Sequence, residues 1–413
     1  MIWFACLLYN ERKSMLTNTQ KMNVQKGLFF FMGWIGMVFY FTQRWIYGPV
    51  IPALMTDFHM NKETAGWIGS ASLFGYMLTP VVAGLLSDKY GRKYTALSGI
   101  FGFSVLTLLA GFAPNTPALF GIRFLTGIAE AFFFIPMIAF TLDLFPERPG
   151  FYVTLMSSGS SLGWFTGPAL AGWLLDLTNK WRSPFLVTGC LSLLSTVLLF
   201  LFWPKQIKHA EAKPFFNRAI LLPANYILLA ILGLATAFQI AAEFGFTMWY
   251  PVYLNLELGM TATTAGVLAG SFGIGQLFGR PSMGWVLDRL VYRPIGILGS
   301  WAIGFSILFI LSTANPLWLR VFTFLAGFLG AAAMGALWTF TGLVFAPFKG
   351  LALGVITTIG YVMGALAIIL IGRLGDQSSV AMGLRYISVP AAFLAGLTVL
   401  ATFMVRPGLI KKT

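Results

Sequence analysis

The sequence predicts an all-α membrane protein of twelve transmembrane helices in two pseudo-symmetric six-helix bundles. Three observations carry that prediction. The chain of 413 residues is 58% hydrophobic and only 10% charged, with a mean hydropathy of +0.81, beyond the balance of a soluble domain. Apolar runs of about 20 residues, each long enough to cross roughly 30 Å of hydrocarbon as a helix, recur from residue 27 almost to the end. Four Gly-x-x-x-Asp pentads stand at fixed intervals: Gly84 to Asp88, Gly172 to Asp176, Gly284 to Asp288 and Gly372 to Asp376. The first and third are 200 residues apart, as are the second and fourth, and 88 residues separate the two pentads of each half. A membrane unit duplicated twice explains such spacing, and repeats of that kind build secondary transporters.

The apolar runs place span 1 at 27–52, span 2 at 63–86, span 3 at 94–113, span 4 at 117–142, span 5 at 151–175 and span 6 at 183–203. Span 7 follows at 222–255, span 8 at 262–286, span 9 at 294–313, span 10 at 317–345, span 11 at 350–374 and span 12 at 383–405. The 45 Gly, 20 Pro and 40 Phe suit membrane helices, where small residues allow close packing and neighbours re-satisfy backbone groups freed by Pro. The organisation is a cytoplasmic N-terminal segment at 1–26, a first bundle at 27–203, a cytoplasmic linker at 204–221, a second bundle at 222–405 and a cytoplasmic tail at 406–413. The stretch Ile2 to Tyr9 is apolar but short and lacks a basic flank, so it makes a poor signal peptide, and Met15 or Met22 competes with Met1 as the start.

A net charge of +14 invites a nucleic-acid reading, but its placement follows the positive-inside rule. With both termini cytoplasmic, most Lys and Arg fall on cytoplasmic segments, and only Lys62, Lys180, Arg182, Arg373 and Arg385 on external ones. The expected location is the cell membrane, the cytoplasmic one in a prokaryote, and the expected partners are lipid, a small solute and a proton rather than nucleic acid. A monomer is expected. Cys6 and Cys190 stand too far apart in the topology to pair. No phosphate-binding Gly-Lys-Ser/Thr loop, His-Glu-x-x-His or Cys-x-x-Cys occurs, so neither cofactor, metal nor enzymatic chemistry is expected and transport must draw on a gradient.

The pentads of Asp88 and Asp288 fall after spans 2 and 8 on the cytoplasmic side, and those of Asp176 and Asp376 after spans 5 and 11 outside, the alternation an inverted three-helix repeat produces. In Gly84-Leu-Leu-Ser-Asp88-Lys89-Tyr-Gly91-Arg92-Lys93, Gly84 permits close helix approach and Asp88 can meet basic groups or a helix N-terminus. This decapeptide resembles the signature loop of the major facilitator superfamily, with Gly284-Trp-Val-Leu-Asp288-Arg289 as its degenerate partner. The resemblance implies the major facilitator fold, and gating roles for these loops. Arg123-Phe-Leu-Thr126-Gly127 in span 4, with an apparent echo at Arg320 in span 10, is similar to the same superfamily and makes Arg123 a clamp or a substrate ligand.

Ionisable groups inside the spans are the functional candidates, because a charge at mid-bilayer is costly unless it faces a cavity or a partner. They are Arg44, Arg123, Glu130, Glu243, Arg280 and Arg320. An arginine fork matches a carboxylate bidentately, and a half-desolvated glutamate can exchange protons near neutrality. Gln43-Arg44 with Asp57, Gly121 through Ala131, Phe145-Pro146-Glu147-Arg148 and Trp249-Tyr250-Pro251 are together similar to the anion:cation symporter branch of the superfamily. That resemblance implies that Arg44 binds a substrate carboxylate and that Glu130 carries the coupling proton.

The chain departs from the branch at Gln43, where many members have an aspartate. Glu243, eight residues before Pro251, is then expected to replace the missing acid, as a second proton site or as a counter-ion to Arg44. Arg280, in Gly279-Arg280-Pro281, resembles the span 8 arginine of monocarboxylate carriers, but its nearness to the pentad at Gly284 favours a gating role. Tyr47, Gln239, Trp249 and Trp338 are further substrate-binding candidates on helices that would line a central cavity. The glycines of span 5, Gly159, Gly163 and Gly167 before Pro168, resemble the motif of drug:proton antiporters. The expectation is a secondary transporter that moves a small organic anion by alternating access, in symport with protons. The alternatives are a drug:proton antiporter, a non-transporting receptor or scaffold, and an intramembrane enzyme built on Glu130 and Glu243.

Overall fold

A computed structural model describes residues 18–204, 223–287, 292–345 and 349–405. Most of the expected linker, the tail, the first 17 residues, Asp288 and Arg289 lie outside them. Span 1 is the helix Asn18–Trp45 continued by Tyr47–Phe58, and span 2 is Lys62–Met77 continued by Pro80–Tyr90. Spans 3 to 6 are Arg92–Gly111, Thr116–Leu144, Pro149–Thr178 and Arg182–Phe202. Spans 7 to 11 are Pro223–Leu256, Ala262–Leu287, Tyr292–Ile310, Pro316–Val344 and Lys349–Gln377. Span 12 starts as Val380–Gly383, widens into a π-helical turn at Leu384–Ser388 and ends as Val389–Val405. Pro390 follows that turn, and its missing N–H frees the carbonyl that the wider turn accommodates.

Eight of the described helices are long and apolar enough to cross a membrane singly, span 2 makes a ninth although it bends by 44°, and span 9 is a shorter apolar helix. Spans 5 and 8 fall outside that set and pack against each other across the two halves. A Cβ on Gly266 would lie 2.2 Å from the Pro168 carbonyl oxygen, and one on Gly273 would lie 2.6 Å from that of Ser161. Glycine is what lets the backbones touch there.

The duplication is written in backbone contacts. A Cβ on Gly75 would lie 1.9 Å from the Phe124 oxygen, and one on Gly275 would lie 2.1 Å from that of Phe324. Likewise a Cβ on Gly127 would run into the Ser72 oxygen and one on Gly327 into the Phe272 oxygen. Between the halves, Gly66 meets the Ile368 oxygen at 2.9 Å, as Gly266 meets that of Pro168. Every one of these residues has its counterpart 200 positions away.

The turn leading into span 2 is repeated before span 8. His59 and Gly259 take positive φ of 48° and 64°, and Asn61 and Thr261 then accept the N–H groups of Thr64 and Thr264 at 2.9 and 3.2 Å. The next free N–H groups are capped from the other half. Asp376 accepts Lys62 and Glu63, both at 2.8 Å, and Asp176 accepts Ala262 and Thr263 at 3.2 and 2.7 Å. A carboxylate on a helix N-terminus satisfies orphan donors and opposes the dipole. The two caps hold the halves together at this end, hereafter the distal end, opposite the start of span 1.

The proximal pentad is arranged differently. Asp88 is 48% exposed and pairs with Arg92 at 3.3 Å, and Arg92 also reaches Asp143 at 2.5 Å. Gly91 has a φ of 94°, which a side chain would strain. Lys89 lies over the Tyr90 ring and Lys93 over that of Phe200. All these partners belong to the first half. Gly84 has no close neighbour beyond Ile135 at 4.0 Å, and Gly284 is helical in span 8, with its surroundings outside the described residues.

Candidate functional site

Span 1 breaks at Ile46, two residues past Arg44, where Pro49 and Pro52 lack the N–H groups that would continue the ladder. The break leaves Arg44 and Glu130 facing one another, at 1% and 0% exposure, as a direct ion pair between Nη2 and Oε2. Gln43 donates its amide to the other carboxylate oxygen of Glu130 at 2.5 Å. Its own oxygen accepts from the Thr107 hydroxyl at 3.4 Å, which fixes which way the amide points.

Aromatic residues enclose the arginine. Arg44 donates to the hydroxyls of Tyr40 and Tyr361 at 3.3 and 3.4 Å. Its guanidinium stands 5.3 to 5.7 Å from the ring centres of Tyr40, Phe41, Tyr76 and Tyr361. Tyr76 and Tyr361 stack at 5.0 Å, and Phe244 packs edge-on against Tyr361. Three rings of the cage come from the first half and Tyr361 comes from span 11 of the second. Cation–π attraction is stronger where water is excluded, so the rings offset part of the cost of burying the cation.

Glu130 therefore takes one arm of the guanidinium, Nη2, with which an arginine binds a carboxylate. Neutralising Glu130 leaves Arg44 as an uncompensated buried cation, which costs several kcal/mol until another anion arrives.

The model of the Major Facilitator Superfamily matches residues 33–368. The chain belongs to that superfamily. It is 28% identical over 311 residues to the gentisate transporter of Corynebacterium glutamicum, covering 72% of this chain and 69% of that one. It is 25% identical over 395 residues to a 4-hydroxybenzoate transporter of Acinetobacter baylyi, covering 84% and 85%. Its fold matches a bacterial homolog of the human lysosomal transporter Spinster, solved inward-facing and occupied, with TM-score 0.73, 16% identity and coverage of 92% and 96%. These relatives are named as transporters.

The other candidate residues of this superfamily member divide between two places. Glu243 is not the counter-ion of Arg44. It accepts from the amides of Gln239 and Gln276 at 2.6 and 3.5 Å in the second half, while Glu130 takes the arginine. Gln239 is thereby part of the Glu243 cluster. Arg280 bridges the halves, donating to the Ser157 carbonyl and the Ser160 hydroxyl of span 5 at 3.0 and 2.6 Å.

Arg123 donates to the Ile68 carbonyl at 3.1 Å and lies 4.4 Å over the Tyr47 ring, while Tyr47 donates to the Ala65 carbonyl. Both residues tie the outer part of span 2 to its neighbours. The supposed echo at Arg320 does not hold: Arg320 is exposed, and the residue 200 positions after Arg123 is Thr323, which donates to the Tyr250 hydroxyl at 3.0 Å. Trp249 is fully buried and donates to the Ile368 carbonyl at 2.8 Å. Trp338 is 45% exposed and does not join the Arg44 cluster. Sequence reasoning missed Tyr76, Tyr361 and Thr107, since a tyrosine beside a glycine in an apolar span carries no mark of facing a cation.

Proposed function

We propose that this transporter carries a small organic anion and a proton together, with Arg44 binding the anion and Glu130 the proton. The enclosed Arg44–Glu130 pair carries the reading. In its resting form the pair is neutral and shut. A proton on Glu130 frees the fork of Arg44, the substrate carboxylate takes it, and the site is neutral again with both cargoes aboard. A cargo that restores neutrality lowers the barrier to moving the site through the hydrocarbon, and neither cargo alone does so.

The rings around Arg44 favour an anion that bears an aromatic ring, in keeping with relatives named for gentisate and 4-hydroxybenzoate. The weight of Lys and Arg on the proximal segments supports a cytoplasmic membrane location with both termini inside, which puts the distal latch outside and makes this an inward-facing form. The protein acts as a monomer, since each chain holds a complete site.

Thermal-shift titrations of the purified protein with gentisate, 4-hydroxybenzoate and galactonate at pH 5.5 and pH 7.5, as about two points either side of neutrality, test the reading. Binding should tighten at the lower pH, and Arg44→Gln should abolish it. Uptake into proteoliposomes should then follow an imposed proton gradient. Expulsion of a hydrophobic cation under the same gradient, with no anion uptake, would establish an antiporter instead.

A further inference from the structure

The second half contains a buried acid that the mechanism above leaves unused. Glu243 is 3% exposed and stands 200 residues after Gln43. Its carboxylate accepts from Gln239 of its own helix and from Gln276 of span 8. Both amides are oriented from behind. Ser300 of span 9 donates to the Gln239 oxygen at 2.7 Å, and Arg280 donates to the Gln276 oxygen at 3.2 Å. Arginine can only donate, so the Gln276 oxygen faces Arg280 and its NH2 faces Glu243.

The pattern of hydroxyl, glutamine and glutamate is the one built around Glu130, where Thr107 orients Gln43 and Gln43 donates to the acid. The difference lies in the cation. Arg44 touches Glu130, whereas Arg280 is held one amide away from Glu243 and spends its remaining bonds on Ser157 and Ser160 across the bundle interface. Gly330 of span 10 completes the enclosure, since a Cβ there would lie 3.2 Å from Glu243 Oε1. Ile303 of span 9 also packs against Gly330, and the Thr247 hydroxyl donates to the Glu243 backbone carbonyl. Among the described residues Arg280 is the charged group that faces Glu243.

Held by neutral donors with its cation at one remove, the buried Glu243 carboxyl gains a full partner for a negative charge only when the arginine lets go of span 5. We propose that Glu243 is a second proton-carrying site, neutral while Arg280 holds span 5 and ionised when Arg280 turns to it, so that two protons accompany each anion. For a monocarboxylate the balance is one negative charge and two positive charges moved inward, a net transfer of one positive charge. The acid absent from span 1 at Gln43 is thus supplied from the opposite half. The two-proton count rests on the symport reading, whereas the titration of Glu243 does not.

Difference infrared spectroscopy of the purified protein over a pH titration reads the buried carboxyls without a substrate. A protonated-carboxyl band should titrate in wild type and in Glu130→Gln and should be missing from Glu243→Gln. An unchanged band in Glu243→Gln would overturn the proposal. In proteoliposomes, an inside-negative potassium diffusion potential without a pH gradient should drive 4-hydroxybenzoate uptake by wild type. Glu243→Gln should lose that response and keep uptake under a pH gradient. Equal potential-driven uptake by both proteins, or none by a wild type that does take up 4-hydroxybenzoate under a pH gradient, would also overturn it. If wild type takes up 4-hydroxybenzoate under neither gradient but the band behaves as expected, the symport reading fails while Glu243 stands as a proton site.

Discussion

Asp376 lies at the end of span 11 and receives the backbone N–H of Lys62 at the start of span 2, 314 positions away in the chain. Asp176 does the same for Ala262. Each is a helix cap supplied by the opposite half, and together they favour the form closed at the distal end. Replacing one cap by alanine costs about 1 kcal/mol, so Asp176→Ala with Asp376→Ala should shift the balance by about 2 kcal/mol, roughly thirtyfold. With Ser70→Cys as reporter in a background lacking Cys6 and Cys190, labelling by an impermeant maleimide from outside should rise accordingly. Unchanged labelling would mean that the caps do not set the balance.

Gln43 is an amide bonded to Glu130, which leaves one carboxylate beside Arg44. Gln43→Glu places a second carboxyl on the same bonds, and like charge disfavours ionisation of the pair. The last proton is then held to higher pH, so the alkaline limb of the uptake profile should move up by about one unit or more. Uptake measured across the pH range checks it. An alkaline limb at its original pH would separate Gln43 from proton binding.

Two glycines of span 4 should respond in opposite ways to the same change. A Cβ on Gly127 would meet the Ser72 oxygen, whereas Gly121 has nothing within 4 Å. Gly127→Ala must push spans 2 and 4 apart and should cost about 1–3 kcal/mol. Gly121→Ala should gain about 0.5–1 kcal/mol from helix propensity. Thermal denaturation in one detergent compares the two directly.

Arg123 and Arg44 are both buried arginines, but only Arg44 is paired with an acid. Arg123→Gln removes a charged donor from the Ile68 carbonyl and should cost about 1.5–3 kcal/mol of stability. Affinity for the anion should be unaffected in the protein that remains folded. A binding titration beside the melting curve distinguishes the two roles, and lost binding at full stability would return Arg123 to the substrate site.

The helices were legible to within a few residues because a membrane span must be long and apolar, and its ends carry polar caps such as Asn61, Asn115 and Asn315. The breaks at Ile46 and after Met77 were not legible, for the prolines near them also occur inside unbroken helices, as Pro136 and Pro168 do. Intramembrane charge pointed to Arg44, Glu130 and Glu243, yet who pairs with whom depends on the rotation of each helix about its axis. Glu243 and Arg44 precede a proline at comparable depth, but Glu243 faces spans 8, 9 and 10. The Arg320 echo failed for a related reason. Its 197-residue offset falls three short of the repeat, which turns a helical side chain by about 60° from the equivalent direction and moves it by nearly a turn.

The paired contacts of Gly66 with Ile368 and of Gly266 with Pro168 restrict how the molecule can move. A rigid bundle that keeps two points of contact has one rotation left, about the line through them. Because the two points exchange under the pseudo-twofold, that line runs perpendicular to the symmetry axis. A tilt about it opens one mouth by the same angle that closes the other, so the two mouths cannot gape together while both fulcra hold.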